Sequence, residues 1–168
     1  MGKMKFEMKS IVCWMGSGLP AIALSLLFLP SLPAQPGSVL TVAPLQKAHV
    51  ARGSEFTQHV TIQLKPGFHV NSDKPDDEYL IPLKLTWTGP LQAEEVVFPK
   101  PERMKSTFSP KPLVVYTGAF DIVTKFKVPA TAPDGPNMAV VKLRYQAYND
   151  KECLRPQTVE VNLSLDIK

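Results

Sequence analysis

Cys153 is the residue of this sequence best suited to covalent chemistry. It lies in the polar stretch "YQAYNDKECLRP", between two runs that alternate like strands, and such turns often carry functional residues. The other cysteine, Cys13, precedes an apolar N-terminal run and is expected to be lost with a secretory signal. An unpaired cysteine in an exported protein predicts a reactive thiol or an intermolecular disulfide. The alternative is a buried, inert thiol that packs as a small hydrophobe.

The remaining side chains that could do chemistry do not form a recognisable site. They are the histidines His49, His59 and His69 and the acids Asp73, Asp76, Asp77 and Glu78. The histidines lack the spacing of metal ligands, and the acids lack the glycine and the spacing of a calcium loop. No serine has the G-x-S-x-G context of a hydrolase nucleophile. We therefore predict no metal, no cofactor and no hydrolase activity, and we interpret the acids as a solvated turn.

Charged residues flank Cys153 on both sides. Lys151 and Arg155 would favour the thiolate, whereas Asp150 and Glu152 would oppose it. In an extended segment, Lys151, Cys153 and Arg155 would share one side of the chain. The basic pair would then dominate the surroundings of the sulfur.

The N-terminal segment has the features of a secretory signal peptide. Three lysines precede an apolar run at residues 19–29, which is too short to span a bilayer, and Pro30 ends that run. Cleavage after Ala34 would divide the chain into a signal peptide, residues 1–34, and one mature domain, residues 35–168. An uncleaved membrane anchor is the alternative. The expected location is the periplasm or another part of the bacterial cell envelope.

The charge of the chain argues against nucleic-acid binding. The formal net charge is +4, and the three lysines and one glutamate before residue 35 account for +2 of it. The other lysines and arginines are scattered among acids, whereas a nucleic-acid site needs clustered positive charge. No nucleic-acid partner is predicted.

Period-two alternation and the lack of helical periodicity predict an all-β domain. The run "FTQHVTIQL" places Phe56, Val60, Ile62 and Leu64 on one face, and "LKLTW", "EEVVF", "LVVY" and "FDIVTKFKV" supply further strands. With prolines at the strand ends, the pattern favours an immunoglobulin-like antiparallel β-sandwich of about seven to nine strands.

The last two strands are expected to form a hairpin around Cys153. The runs "MAVVKLRYQA" and "TVEVNLSLDI" each alternate over ten residues, with Tyr145 on the core face of the first. Two segments are expected to be long irregular loops, residues 65–82 and 99–112. Long loops in a compact domain are commonly functional or mobile.

Four stretches of the mature domain resemble a known family. "GFHVNSDKP", "IPLKLTW", "VYTGAFDI" and above all "LRYQAYNDKECLRPQTVEVNL" are similar to the periplasmic N-terminal domain of the disulfide reductase DsbD. The resemblance implies an immunoglobulin-like sandwich in which two hairpin cysteines face each other beneath a cap loop. In that family the pair passes electrons from a membrane domain to periplasmic thioredoxin-like partners. Gln146, Cys153 and Pro156 match the hairpin motif, and Tyr148 stands where the first cysteine belongs.

The resemblance also assigns roles to other residues. The segment 104–115 corresponds to the cap loop, and Phe108 is the residue there best suited to cover a sulfur. The alternative is that Phe108 packs on the rim of the sandwich. Gln146 is expected to hydrogen-bond the hairpin. With Tyr148 at the partner position, Cys153 has no second sulfur with which to store two electrons. The chain is therefore expected to be at most a single-thiol disulfide exchange protein.

Three interpretations of the hairpin follow. In the first, Cys153 forms a mixed disulfide with a thioredoxin-like or other periplasmic redox protein. In the second, the domain is a non-catalytic binding module in which Tyr148 fills the space of the missing sulfur and packs as an aromatic anchor. In the third, the domain is a structural sandwich of the envelope and Cys153 belongs to its core.

Overall fold

The structure, a computed structural model, describes residues 38–106 and 109–168. This part of the chain consists of strands and turns, and it holds no helix long and apolar enough to cross a membrane. The strands are β1 Leu40–Val42, β2 Ala48–Val50, β3 Glu55–Leu64, β4 His69–Asn71, β5 Lys84–Thr88, β6 Gln92–Val97, β7 Glu102–Ser106, β8 Ser109–Thr117, β9 Ala119–Lys127, β10 Gly135–Tyr145, β11 Ala147–Tyr148 and β12 Gln157–Ile167. The predicted signal peptide, residues 1–34, and its cleavage site lie outside the described residues.

The strands form three four-stranded sheets. Sheet A has the order β1-β3-β9-β6, sheet B the order β2-β12-β10-β5, and sheet C the order β11-β4-β8-β7. All the pairings are antiparallel except that of β2 with β12, which is parallel. The predicted all-β, immunoglobulin-like sandwich is confirmed.

Alternation along the strands builds the core between sheet A and the other two sheets. Val60, Ile62 and Leu64 of β3 are buried while the residues between them are exposed, as their period-two pattern predicts. They belong to one apolar cluster with Leu143 and Tyr145 of β10. Full burial of such a side chain contributes about 1.5–3 kcal/mol to folding, so this cluster is a major source of stability.

The predicted C-terminal hairpin is present and is the most regular part of the fold. Strands β10 and β12 pair from Gly135↔Ile167 to Tyr145↔Gln157 without a register shift. On its other side β10 pairs with β5, from Arg144↔Lys84 to Val140↔Thr88. We call β10 and β12 the hairpin body, and residues 146–156, which join them, the hairpin tip. The pairing of the body with β5 determines the position of the tip in the molecule.

The number of strands exceeds the predicted seven to nine because several strands are too short to show alternation. β1, β2 and β4 have three residues each and β11 has two. In β4 all three residues are buried, because Val70 packs in the main apolar cluster while His69 and Asn71 contact Tyr148. A strand buried on both faces has no polar face for a period-two pattern to reveal.

The two segments expected to be irregular loops contain strands. Residues 65–82 include β4, and residues 99–112 include β7 and the start of β8, which pair as a hairpin. Pro110 and Pro112 lie within β8, but β4 pairs only with residues 115–117 of that strand. Proline is tolerated where no neighbouring strand requires its missing N–H.

Candidate thiol site

The hairpin tip places Tyr148 and Cys153 directly opposite each other. They form an antiparallel bridge, flanked by hydrogen bonds from Leu154 N to Ala147 O, 2.9 Å, and from Asn149 N to Glu152 O, 3.0 Å. Because these bonds lie on either side of the bridge, Tyr148 and Cys153 are a non-hydrogen-bonded pair. The Cα atoms of such a pair are about 4.5 Å apart, and their side chains project to the same face. The backbone thus places side by side the two positions at which the family resemblance implies a pair of cysteines.

Asn149 closes the turn between the two positions. Its Oδ1 accepts hydrogen bonds from the backbone N–H groups of Lys151, 2.9 Å, and Glu152, 3.0 Å. Asparagine commonly stabilises turns in this way. The chain therefore bends at residues 150 and 151, and the extended geometry expected from Lys151 to Arg155 does not hold at Lys151.

Gln146 makes the hydrogen bond that was expected of it. Its Nε2 donates to Leu154 O across the tip at 3.0 Å. At the base of the tip, Tyr145 is buried and its hydroxyl donates to Gln157 Oε1 at 2.9 Å, so its predicted core position is confirmed. Both side chains tie the outgoing strand to the returning one.

The two members of the bridge differ sharply in exposure. Cys153 is exposed and makes no disulfide, whereas only 3% of Tyr148 is exposed. The interpretation of Cys153 as a buried core thiol is therefore wrong. The tyrosine ring packs inward while the cysteine stays at the surface, so the sulfur is open to a reagent approaching from solvent.

Tyr148 is held by ring packing and by one hydrogen bond. Its ring meets that of His69 edge to face, with centroids 4.1 Å apart, and its hydroxyl donates to Asn71 Oδ1 at 3.0 Å. It shares a small apolar cluster with Leu113 and Val115 of β8. Burial, together with the charge of Cys153, raises the pKa of Tyr148 above its ordinary value. The phenol is therefore neutral at physiological pH and can donate to Asn71.

His69 lies beneath the Tyr148 ring in a low-dielectric position. Burial lowers the pKa of His69, and the nearby negative charge of Asp150 partly opposes that effect. The imidazole is consequently neutral at pH 7. His69 thus supports the Tyr148 ring by packing.

A cavity of about 180 Å³ opens beside Cys153. Its lining comes from β4, the loop 72–82, the start of β8 and the hairpin tip: Asn71, Asp77, Leu80, Ser109, Pro110, Leu113, Gln146, Tyr148 and Cys153. Small-molecule sites commonly measure about 300–1,000 Å³. This cavity therefore suits a single side chain or a few atoms of a partner.

The loop 72–82, which forms one wall of the cavity, is tied to the sandwich at several points. Tyr116 donates its hydroxyl to Asp73 Oδ1 at 2.6 Å, and Arg103 Nη1 lies 2.9 Å from Asp76 Oδ2. Burial and the Asp73 carboxylate raise the pKa of Tyr116, so its hydroxyl stays protonated as the donor. Two of the acids predicted to form a solvated turn thus have specific partners.

No metal site forms among the described residues. This part of the chain contains no group of three or more His, Cys, Asp or Glu side chains placed to hold an ion. The acids at 73, 76 and 77 instead contact Tyr116, Arg103 and the backbone N–H of Tyr79, respectively.

The structure brings together only part of the predicted site. Gln146, Tyr148 and Cys153 line one cavity, whereas Lys151 and Arg155 are exposed and do not line it. Phe108, the predicted cap residue, lies outside the described residues. Ser109, Pro110 and Leu113 of the same segment do border the cavity. The segment expected to act as a cap therefore adjoins the thiol.

Sequence reasoning missed Asn71 and Leu80 as members of this site. Asn71 lies on a three-residue strand and Leu80 in a loop, more than 70 positions from Cys153 in the chain. The stretch "GFHVNSDKP" contains Asn71 and resembles the family, but the resemblance implies no role for this residue. Only the pairing of β4 with β11 and β8 places that strand beside the hairpin tip.

Comparison with known proteins identifies the family. The family model described as "Thiol:disulfide interchange protein DsbD, N-terminal" matches residues 38–165. A comparison with curated protein sequences finds no match.

Several solved structures are similar at low sequence identity. The N-terminal periplasmic domain of ScsB from Proteus mirabilis aligns with a TM-score of 0.48 and 14% identity, over 74% of this chain and 44% of that chain. PapD-like domain 7 of human CEP192 aligns with a TM-score of 0.42 and 14% identity, over 89% of this chain and 98% of that chain. The chain therefore spans less than half the length of the ScsB chain that it matches.

Proposed function

The chain belongs to the family of DsbD N-terminal domains, and we propose that it is an exported module that exchanges disulfides through Cys153 alone. The observation that carries this proposal is the placement of Cys153, exposed beside a cavity and directly opposite Tyr148 in the hairpin tip. This is where the family motif has its cysteine pair, and here one of the two positions is a tyrosine.

The proposed chemistry is a single thiol–disulfide exchange. The Cys153 thiolate attacks one sulfur of a partner disulfide, the partner S–S bond breaks, and the second partner sulfur leaves as a thiolate. The product is a mixed disulfide, and no net oxidation occurs. Because Tyr148 cannot supply a second thiolate, the mixed disulfide persists until an external thiol attacks it. The domain would therefore not act as a dithiol reductase.

The proposed partner is a thioredoxin-like or other periplasmic redox protein. The support is family membership and the size of the cavity, which admits one side chain of a partner. Export rests on the predicted signal peptide at residues 1–34, and a membrane contact would follow only if that segment is not cleaved. No cofactor enters this chemistry, since the sulfur itself is the nucleophile.

A non-catalytic binding role is the alternative. In that interpretation Tyr148 would act as an aromatic anchor, but its ring is buried against His69 and Leu113, so a partner could touch little of it. The burial of Tyr148 and the exposure of Cys153 both favour a role for the sulfur over a role for the ring.

The test is the rate at which the folded protein reacts with a disulfide reagent as a function of pH. The reagent is 5,5′-dithiobis(2-nitrobenzoate), and the Cys153→Ser variant gives the background. We expect rapid release of thionitrobenzoate from the folded protein, at a rate that rises with pH because the thiolate is the reacting form. Reaction that begins only on unfolding would eliminate thiol exchange and leave a binding or structural role.

A further inference from the structure

Asn71 is a buried polar residue at the centre of the thiol site. It is 1% exposed, and both ends of its amide are occupied. Oδ1 accepts the hydroxyl of Tyr148 at 3.0 Å, and Nδ2 donates to the backbone carbonyl of Ile81 at 3.0 Å. A buried amide with satisfied hydrogen bonds stabilises one arrangement of its neighbours, because breaking either bond leaves a desolvated polar group.

These two bonds connect two of the segments that line the cavity. Tyr148 belongs to the hairpin tip and faces Cys153, whereas Ile81 belongs to the loop 72–82, which supplies Asp77 and Leu80 to the lining. Asn71 itself also lines the cavity. Its amide is thus hydrogen-bonded both to the hairpin tip, which carries Cys153, and to the loop 72–82.

The connection requires an amide. Asparagine offers an acceptor and a donor on one rigid fork, whereas an ionised aspartate offers acceptors only and leucine offers neither. An aspartate would therefore keep the acceptor for Tyr148 and lose the bond to Ile81. A leucine would lose both bonds.

We propose that Asn71 is a positioning residue for disulfide exchange at Cys153. It sets the distance between the hairpin tip and the loop 72–82, so that the disulfide of a partner protein enters a preformed cavity in line with the sulfur. This inference rests on the proposed function and adds a residue to it. Asn71 does not touch the reacting sulfurs, and its effect passes through Tyr148 and Ile81.

The test compares two disulfides that release the same leaving group. One is 5,5′-dithiobis(2-nitrobenzoate), which is small enough to reach an exposed thiol without docking. The other is a thioredoxin that retains one active-site cysteine, carried as a mixed disulfide with thionitrobenzoate. In both reactions the Cys153 thiolate breaks an S–S bond and thionitrobenzoate departs, so the ratio of the two rates isolates positioning from thiol reactivity.

Asn71→Leu should slow the reaction with the protein disulfide by about tenfold or more and change the reaction with the small disulfide by no more than about threefold, because misplacement penalises only the docked reaction. The pH profile of the small-reagent reaction should not move. Tyr148→Phe, which removes one of the two bonds, should give a smaller loss in the same ratio. Asn71→Asp should lower the ratio of the two rates less than Asn71→Leu does, since the acceptor for Tyr148 is kept.

Several results would overturn the inference. An unchanged ratio in Asn71→Leu, or equal slowing of both reactions, would show that Asn71 only supports the fold. If Asn71→Leu does not fold, the ratio in Tyr148→Phe decides, because that variant breaks the same hydrogen bond from the other side. A wild-type protein that reacts with neither disulfide while folded would defeat the proposed function itself, and with it this inference.

Discussion

The hairpin body and the hairpin tip belong to the same pair of strands but are stabilised by different interactions. In the body, cross-strand pairs continue without interruption from Gly135↔Ile167 to Tyr145↔Gln157, and alternate side chains enter the core. In the tip, a single bridge joins the strands, and the side chains of Gln146 and Asn149 make the closing hydrogen bonds. Apolar burial supports the whole body, whereas in the tip these hydrogen bonds add to the burial of Ala147 and Tyr148.

Because of this difference, the body should contribute most of the folding stability, whereas the tip carries the thiol. Burial of apolar surface dominates folding free energy, whereas each hydrogen bond contributes a net of about 0.5–1.5 kcal/mol. The exposed turn of the tip should therefore tolerate substitution without loss of the sandwich. A core substitution in the body should lower the free energy of unfolding strongly and leave the thiol unaffected, whereas one in the exposed turn of the tip should lower it only slightly.

The largest expected change is covalent and lies in the tip. In Tyr148→Cys, the new sulfur would face Cys153 across a non-hydrogen-bonded pair, whose Cα separation of about 4.5 Å falls within the range of disulfides. We expect a mild oxidant to form this disulfide and to remove both thiols, which thiol counting and intact mass would show. Ala147→Cys is the matched control, because its side chain faces the core. Two free thiols in oxidised Tyr148→Cys would refute the described bridge.

The next largest change is in the body. Leu163 of β12 is fully buried and packs in an apolar cluster with Leu165 and Ile167. Leu163→Ala should lower the free energy of unfolding by about 2–5 kcal/mol, because it leaves a cavity, while the reactivity of Cys153 in the folded protein stays the same. Urea unfolding and thiol labelling would measure the two quantities.

Met138, on the partner strand, provides the control for that substitution. It is 54% exposed, so Met138→Ala should change the free energy of unfolding by no more than about 0.5 kcal/mol. Faster labelling of Cys153 in folded Leu163→Ala would mean that the body and the tip are coupled.

A smaller change is expected in the turn of the tip. Asn149→Ala removes the acceptor for two backbone N–H groups and should lower the free energy of unfolding by about 0.5–1.5 kcal/mol. Faster hydrogen exchange should be confined to residues near the turn. Asn149→Asp keeps an acceptor oxygen and should retain most of the stability. Equal loss in both variants would assign the effect to something other than these hydrogen bonds.

The smallest expected effect is a pH dependence that originates beneath Tyr148. Burial holds the pKa of His69 below its ordinary value of 6.5, so the unfolded chain binds its proton more readily than the folded one does. The free energy of unfolding should therefore fall as the pH drops through 6.5 toward the lower folded pKa, and it should be fully restored above 6.5.

His69→Gln should flatten that dependence, as measured by urea unfolding at pH 5 to 8. The matched control is His59→Gln, because His59 is exposed on β3. If the free energy of unfolding of His69→Gln still falls as the pH drops below 6.5, another group takes up the proton.

The long strands were predictable from sequence because each one carries its own signal. In β3 and β12, apolar residues alternate with polar ones over ten or more positions, so one local pattern defines both the strand and its buried face. The strands β4 and β11 carried no such signal, since a segment of two or three buried residues has no period. The hairpin of β7 and β8 was hidden by prolines, which usually mark loops.

By itself the sequence determined the class of fold and the family, and through the family resemblance it predicted which two residues face each other in the tip. These features are local, because alternation, the hairpin motif and the pairing of Tyr148 with Cys153 all depend on residues close in the chain. Only the tertiary structure decided that Cys153 is exposed while Tyr148 is buried, and that Asn71 and Leu80 share their cavity. Burial and cavity shape depend on strands that are distant in sequence, and long-range pairing alone brings β4 and β8 beside the hairpin tip.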